Sequence, residues 1–308
     1  MQEKVLGAMD VGGTKVAMGL VRPDGTILAQ DRWATPRRPS PIELVTWLGG
    51  RWHGLRQAAG MPAVDGIGLS APGPVDRTGT LLHRVLDWGW RDVDLACLVA
   101  EATGCPVRMD NDVNCCAVAE RLWGAAAGQD DFLWLQVSTG VGGGVVQNGR
   151  VYTGAHGQAG EIGHLRLRRS GALCTCGQRG CLETLISGPA IVRRYLAAGG
   201  AAERAEDVFA ARAAGDGSAG TLLRSVARDL GSAIATAVSL MDPAMVVLGG
   251  GVMLGFGPLL AVTQAVLESR TTASRAPKVP VVLTTLGAEA ALLGAAALAA
   301  APTRAAGG

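Results

Sequence analysis

Residues 132–152 read F-L-W-L-Q-V-S-T-G-V-G-G-G-V-V-Q-N-G-R-V-Y. Phe132–Val137 is an apolar run with the length of a buried strand. A glycine-rich turn follows, Ser138-Thr139-Gly140-Val141-Gly142-Gly143-Gly144, then Val145 and Val146, an Asn148-Gly149 hairpin signal, and Val151 and Tyr152. The same plan opens the chain. Residues 4–9 read as a short buried strand, followed by Asp10-Val11-Gly12-Gly13-Thr14-Lys15. A second apolar strand, a Pro23-Asp24-Gly25 turn and a third strand through Ile27 and Leu28 complete the unit. Two matching strand–glycine–hairpin units predict two similar half-structures facing each other. A glycine turn offers backbone N–H groups to an anion, and the first adds the Thr14 hydroxyl. Taken singly, each is read equally well as a plain β-turn, because short glycine motifs recur by chance. Two such turns from two lobes suit the clamping of one polyphosphate.

Between the units, Pro41–Ala59 carries helical spacing at Ile42, Leu44, Val45, Leu48 and Leu55. A strand is expected at Gly66–Leu69, and the prolines and glycine of Ser70–Val75 forbid helix there. Leu95–Ala102 reads as a helix and Val107–Met109 as a strand. Asp110-Asn111-Asp112-Val113-Asn114 then opens a helix running to about Trp123. Asn and Asp are natural helix caps, so Asp112 has a bland reading as a cap. A carboxylate at a strand-to-helix turn is also well placed to face a ligand.

Further on, helices are expected at Gly188–Ala198, Thr221–Leu240, Gly257–Arg270 and Glu289–Ala300, with short helices across Ala201–Gly220. Strands are expected at Ala244–Leu248 and Val279–Thr284, and residues 303–308 should fray. Gly249-Gly250-Gly251 is a third glycine turn at the C-terminal end of a strand, where a nucleotide base could lie flat.

The densest chemistry lies in Gly160–Glu183, G-E-I-G-H-L-R-L-R-R-S-G-A-L-C-T-C-G-Q-R-G-C-L-E. His164, Cys174, Cys176 and Cys181 fall in the pattern His-x9-Cys-x-Cys-x4-Cys, and Glu161 and Glu183 bracket them. Four soft ligands this close are what a closed tetrahedral zinc site needs. Disulfides, or four unrelated buried side chains, are the alternatives. The metal would pin a loop with few apolar residues and fix both glutamates.

The 308 residues carry 28 Lys and Arg against 26 Asp and Glu, so no basic footprint for nucleic acid exists. Seven cysteines, with no secretory signal ahead of them, point to a reducing cytoplasm. The longest apolar run, Ala290–Ala301, is too short to span a bilayer.

Together these signatures resemble the ROK family (repressors, open reading frames and kinases). Asp10–Lys15, Asn111–Asn114, Ser138–Gly144, Gly160–Glu183 and Val247–Gly251 match it in order and span nearly the whole chain, the zinc stretch being the most specific. Within the family the look is that of bacterial glucokinase-type sugar kinases. The resemblance implies an α/β, two-lobed actin-like ATPase (ribonuclease H-like) fold with an interlobe cleft and a structural zinc loop. Residues 1–111 plus 289–308 would form a small N-terminal lobe closed by the last helix, and 112–288 a large lobe bearing the zinc stretch.

The resemblance also implies ATP, magnesium and zinc as cofactors. Gly12, Gly13, Thr14 and Lys15 would form the first phosphate site, with Asp10 near magnesium. Thr139 and Gly140 would form the second, and Gly249, Gly250 and Gly251 would meet the adenosine. Asp112 would be the catalytic base. Gly73, Asn111, Glu161, His164 and Glu183 would hold sugar hydroxyls, His164 keeping one ring nitrogen for zinc. A homodimer or higher homo-oligomer is a common expectation for the family.

The chain departs from the family at Arg84–Arg91. A Pro-Asn pair usually stands a few residues before a tryptophan, and alignment on Trp90 puts Asp87 in place of the asparagine. Asp87 either pairs with Arg84 or Arg91, or reads the ammonium of an aminohexose such as kanosamine or glucosamine. An N-acetylated hexosamine is a further candidate substrate. A sugar-responsive regulator without catalysis is the competing class; repressors of the family add an N-terminal helix-turn-helix, for which the nine residues before Asp10 leave no room. A Rossmann dehydrogenase is weaker still, since no G-x-G-x-x-G follows the first strand.

Overall fold

The computed structural model describes residues 4–61, 63–85, 88–271 and 278–300. The chain forms two compact units. One comprises the chain up to Trp123, Thr153–Ala159 and everything from Glu289 on; the other comprises Gly124–Tyr152 and Gly160–Ala288.

In the first unit, β1 (Leu6–Val11), β2 (Lys15–Val21) and β3 (Ile27–Ala34) form an antiparallel meander. Two parallel strands, β4 (Ile67–Ala71) and β7 (Val107–Asn111), complete a sheet of order β3-β2-β1-β4-β7. Helix α1 (Pro41–Ala58) starts with a capping box. Ser40 Oγ accepts from Glu43 N–H at 3.3 Å, and Glu43 Oε2 accepts from Ser40 N–H at 2.8 Å. Its Leu44, Leu48, Trp52 and Leu55 recur at helical spacing and are buried with Met9, Met18 and Leu69 in one core. Each fully buried side chain of this kind contributes about 1.5–3 kcal/mol.

A hairpin absent from the sequence reading, β5 (Leu82–Val85) with β6 (Trp90–Val93), precedes α2 (Leu95–Thr103). Its polar, four-residue strands give little alternation to read, and Trp90 Nε1–H anchors it on Pro39 O at 2.8 Å.

The second unit repeats the sheet. Strands β8 (Phe132–Val137), β9 (Val141–Gln147) and β10 (Arg150–Val151) are antiparallel; β11 (Met245–Gly249) and β12 (Val281–Leu283) add parallel, in the order β10-β9-β8-β11-β12. The duplicated plan is therefore present strand for strand. Helix α3 (Asp112–Trp123) belongs to the first unit, while the short α4 (Glu183–Ile186), α5 (Gly188–Ala197), α6 (Ala205–Ala213), α7 (Gly217–Met241) and α8 (Leu260–Arg270) belong to the second. Helix α7 begins earlier than its apolar spacing suggests, because Asp216 caps it by accepting from Ala219 N–H at 2.8 Å.

The expected boundary after Asn111 falls instead after Trp123. The cause is the alanine-rich α9 (Ala290–Ala300), which packs on α3, β1 and β4. A Cβ on Gly294 would lie 1.8 Å from Cys115 O, and one on Gly68 would lie 1.6 Å from Ala295 O. Only glycine permits that approach, so α3 is locked to the first sheet. Among the described residues no helix is long and apolar enough to cross a membrane.

Candidate active site

Strand register assembles the polar row of the first unit. Asp10 sits beside Ser70, and Ser70 beside Asp110, at the C-terminal ends of three parallel strands. That edge is where α/β sheets present ligands. Ser70 is fully buried, and its Oγ–H donates to Asp10 Oδ1 at 2.7 Å. Burial pushes the Asp10 carboxyl up to about 6; the Ser70 hydrogen bond opposes the rise and the Asp112 charge adds to it. A half-buried acid with a raised pKa and a second carboxylate for company is a fitting ligand for a divalent cation. The Gly12–Thr14 turn joins β1 to β2. Gly12 N–H closes onto Lys15 O at 2.9 Å, and Thr35 Oγ1–H donates to Gly12 O at 2.7 Å. Lys15, the first residue of β2, is exposed.

At the β7–α3 junction the capping bond is made by Asn111, whose Oδ1 accepts from Asn114 N–H at 2.8 Å. Asp112 is the first residue of α3, and its Oδ1 accepts from Val113 N–H at 3.0 Å. Asp110 Oδ1 braces the junction by accepting from Asn111 N–H and Asn114 Nδ2–H, both at 2.8 Å. Gly73 lies in the loop after β4, its N–H donating to Ala71 O at 3.1 Å. Asp87 lies outside the described residues. Burial pushes the Cys115 and Cys116 thiols of α3 well up, which makes them inert packing groups rather than nucleophiles.

In the second unit His164, Cys174, Cys176 and Cys181 converge, their ligand atoms all within 4.8 Å of one another. Cys176 and Cys181 sulfurs are 3.7 Å apart, and Cys174 Sγ is 3.5 Å from His164 Nδ1. Thiolates at about 2.3 Å and a ring nitrogen at about 2.0 Å from a tetrahedral centre give edges of about 3.8 Å and about 3.5 Å. The residues present thus fit zinc, and all described cysteines are free thiols. With Nδ1 turned to the cluster, His164 Nε2 faces Glu161 Oε2 at 3.7 Å. Glu183 stands at the start of α4. Its Oε2 accepts from Val141 N–H at 3.1 Å, and its Oε1 lies 3.5 Å from Thr175 Oγ1 and 3.6 Å from Cys174 Sγ.

Beside the third glycine turn is an apolar cavity of ≈ 210 Å³, walled by Leu248, Gly250, Gly251, Met253, Leu254 and Leu283 among others, with Thr284. Gly250 has φ 91°, and a Cβ there would lie 2.4 Å from Val137 O. Gly249 is buried over the Trp134 ring, so Gly250 and Gly251, not Gly249, line the cavity. The walls from Met253, Leu254 and Leu283 were not singled out from sequence. Their signal was present only as apolar residues past β11, for Met253 and Leu254, and at the end of β12, for Leu283.

Two sheets of identical strand order, each an antiparallel three-strand meander extended by two parallel strands, define the actin-like ATPase architecture. The chain belongs to the ROK family, which it matches over residues 6–301. It is similar to a glucokinase of Halalkalibacterium halodurans, with 32% identity covering 96% of this chain and 94% of the relative. It is similar to the kanosamine kinase of Amycolatopsis mediterranei, also at 32%, covering 94% of each. Among solved structures, a ROK family glucokinase from Streptomyces griseus in complex with glucose and AMPPNP superposes with a TM-score of 0.83 at 31% identity, covering 96% of this chain and 98% of the other.

Proposed function

We propose that the chain is a sugar kinase that transfers the γ-phosphoryl group of ATP to the 6-hydroxyl of a glucose-like hexose. The observation that carries this is the chain-long likeness to the glucokinase that holds glucose and AMPPNP. The seven cysteines are all free thiols, which suits a reducing cytoplasm.

In this reading Asp112 takes the proton of the sugar hydroxyl as its oxygen attacks phosphorus, and ADP leaves. Asn111 makes the helix cap, so Asp112 is not needed for it. Gly13, Thr14, Thr139 and Gly140 donate to phosphate oxygens, and Lys15 adds charge. The cavity beside Gly250 and Gly251 takes the base. Gly73, Asn111, Glu161, His164 and Glu183 orient the sugar, which needs donors and acceptors in fixed directions. Asp10 would hold magnesium, which would supply positive charge to neutralise the phosphates. His164, Cys174, Cys176 and Cys181 would hold zinc in a structural role, since four protein ligands would leave it no open position.

A second reading, an aminohexose kinase, draws on the kanosamine kinase relative and on Asp87 in place of asparagine. A carboxylate facing an ammonium makes a charge-assisted bond of about 1.5–3 kcal/mol. Steady-state kinetics with glucose, mannose, glucosamine, kanosamine, N-acetylglucosamine and N-acetylmannosamine separates the readings. Turnover of glucose above all others supports the first. Absence of ATP-dependent turnover on every sugar sinks both and leaves a regulator.

A further inference from the structure

The Ser138–Gly144 turn is held at three points. Ser138 N–H closes on Gly140 O at 2.9 Å, and Ser138 O accepts from Gly188 N–H, at the start of α5, at 2.8 Å. The third point is the Glu183 carboxylate on Val141 N–H at 3.1 Å. A Cβ on Gly140 would lie 2.9 Å from Glu183 Oε2, so the carboxylate rests against the tip of the turn. Its other oxygen faces Thr175, between the cysteines Cys174 and Cys176. One side chain therefore bridges the cysteine–histidine loop and the turn assigned to donor phosphate.

A carboxylate and a phosphate compete for the same kind of ligand, a backbone N–H at a glycine turn. They also repel each other at contact distance. We propose that Glu183 couples the two substrates, and this rests on the sugar-kinase reading above. Without sugar, its carboxylate occupies Val141 N–H and keeps donor phosphate off the turn. A sugar hydroxyl draws the carboxylate away, and the N–H and the space over Gly140 pass to the donor. Glu183 thus positions the donor turn as well as the sugar. It suppresses wasteful transfer to water by making the donor site depend on an occupied sugar site. No bond is made or broken in this step; a hydrogen bond is exchanged.

The test is calorimetric titration of magnesium AMPPNP into wild type and Glu183→Gln, each with and without saturating glucose, with zinc content measured on both. Glutamine keeps the shape and an acceptor but removes the charge. The expected result is that sugar-free Glu183→Gln binds AMPPNP at least tenfold tighter than sugar-free wild type and approaches wild type with glucose. Closure of the protein around sugar, acting alone, would leave the two sugar-free affinities equal, and that equality overturns the proposal. If the variant loses zinc or fails to fold, titration of wild type with inorganic pyrophosphate decides. Tighter binding with glucose supports the proposal, and unchanged binding overturns it. If glucose does not bind, the glucose-like reading has failed and kanosamine or glucosamine takes its place in the titration, whereas the comparison of the two sugar-free proteins still tests Glu183.

Discussion

The side-chain oxygen of Asn111 accepts the N–H of Asn114 at 2.8 Å. That bond separates two duties that adjacent residues could have shared, because Asp112 then stands at the start of α3 without being its cap. Asp112→Asn is expected to lower kcat by about 10²–10⁴-fold, the usual worth of a general base, with an unchanged melting temperature. Asn111→Ala is expected to destabilise the fold by about 0.5–2 kcal/mol through the lost cap. Kinetics and thermal melts of both variants check this. Near-normal turnover in Asp112→Asn would remove the base from Asp112.

Asp10 predicts a conflict between stability and function. Folded Asp10 keeps its proton up to about 6, whereas its ordinary value is 3.8. Between those values the folded state binds more protons than the unfolded chain, so stability falls as pH rises through the window. Above it the cost is complete, on the order of 2–3 kcal/mol for a shift of about two pH units. Asp10→Asn can still accept from Ser70. It should be more stable than wild type at pH 7.5, no more stable at pH 4, and poorly active. Urea unfolding at both pH values, without added magnesium, measures it; equal stability at pH 7.5 counts against a buried charge.

The cysteine–histidine cluster predicts one zinc per chain. Elemental analysis should find it, and Cys181→Ser should lose it together with most turnover, because Glu161 and Glu183 flank the loop. Asp112 lies in the other unit and should be undisturbed. A zinc-free protein with full activity and unchanged melting would refute the assignment.

Gly250→Ala tests the base cavity. Its φ of 91° disfavours any Cβ, and Val137 O stands 2.4 Å from where one would go. The backbone must shift, at a cost of about 1–3 kcal/mol. KM for ATP should rise several-fold while KM for the hexose changes little, as measured by initial rates with each substrate varied. Parallel rises in both constants would mean general damage.

Asp87→Asn tests the choice of sugar. If the side chain reads an ammonium, the ratio of kcat/KM for kanosamine or glucosamine over glucose should fall about tenfold to a hundredfold. An unchanged ratio would make Asp87 irrelevant to the amine.

The repeated glycine turns and the ligand spacing were legible in the sequence because they are local. Gly12–Thr14 and Ser138–Gly140 must bend wherever they are placed, and four soft ligands in one short stretch have few other uses. What escaped depends on partners far apart in the chain. Periodicity could place a helix at Glu289–Ala300, but not show that it binds α3 through Gly294. Glu183 was read as a sugar contact, and nothing near it in sequence announces Val141. The β5–β6 hairpin was missed because charged, four-residue strands carry no pattern.

Helix α9 has one more consequence, in the order in which the protein is made. The first unit needs it, since α9 packs against β1, β4 and α3. Yet the ribosome delivers α9 only after the whole second unit. At about 5–20 residues per second, the wait from Trp123 to α9 is on the order of ten to thirty seconds. During that time the apolar face that α9 will cover stays open on a half-made protein. The second unit, continuous but for one short excursion, can form meanwhile. Nascent chains stalled before residue 289 should therefore protect the second sheet from protease and leave the first one vulnerable.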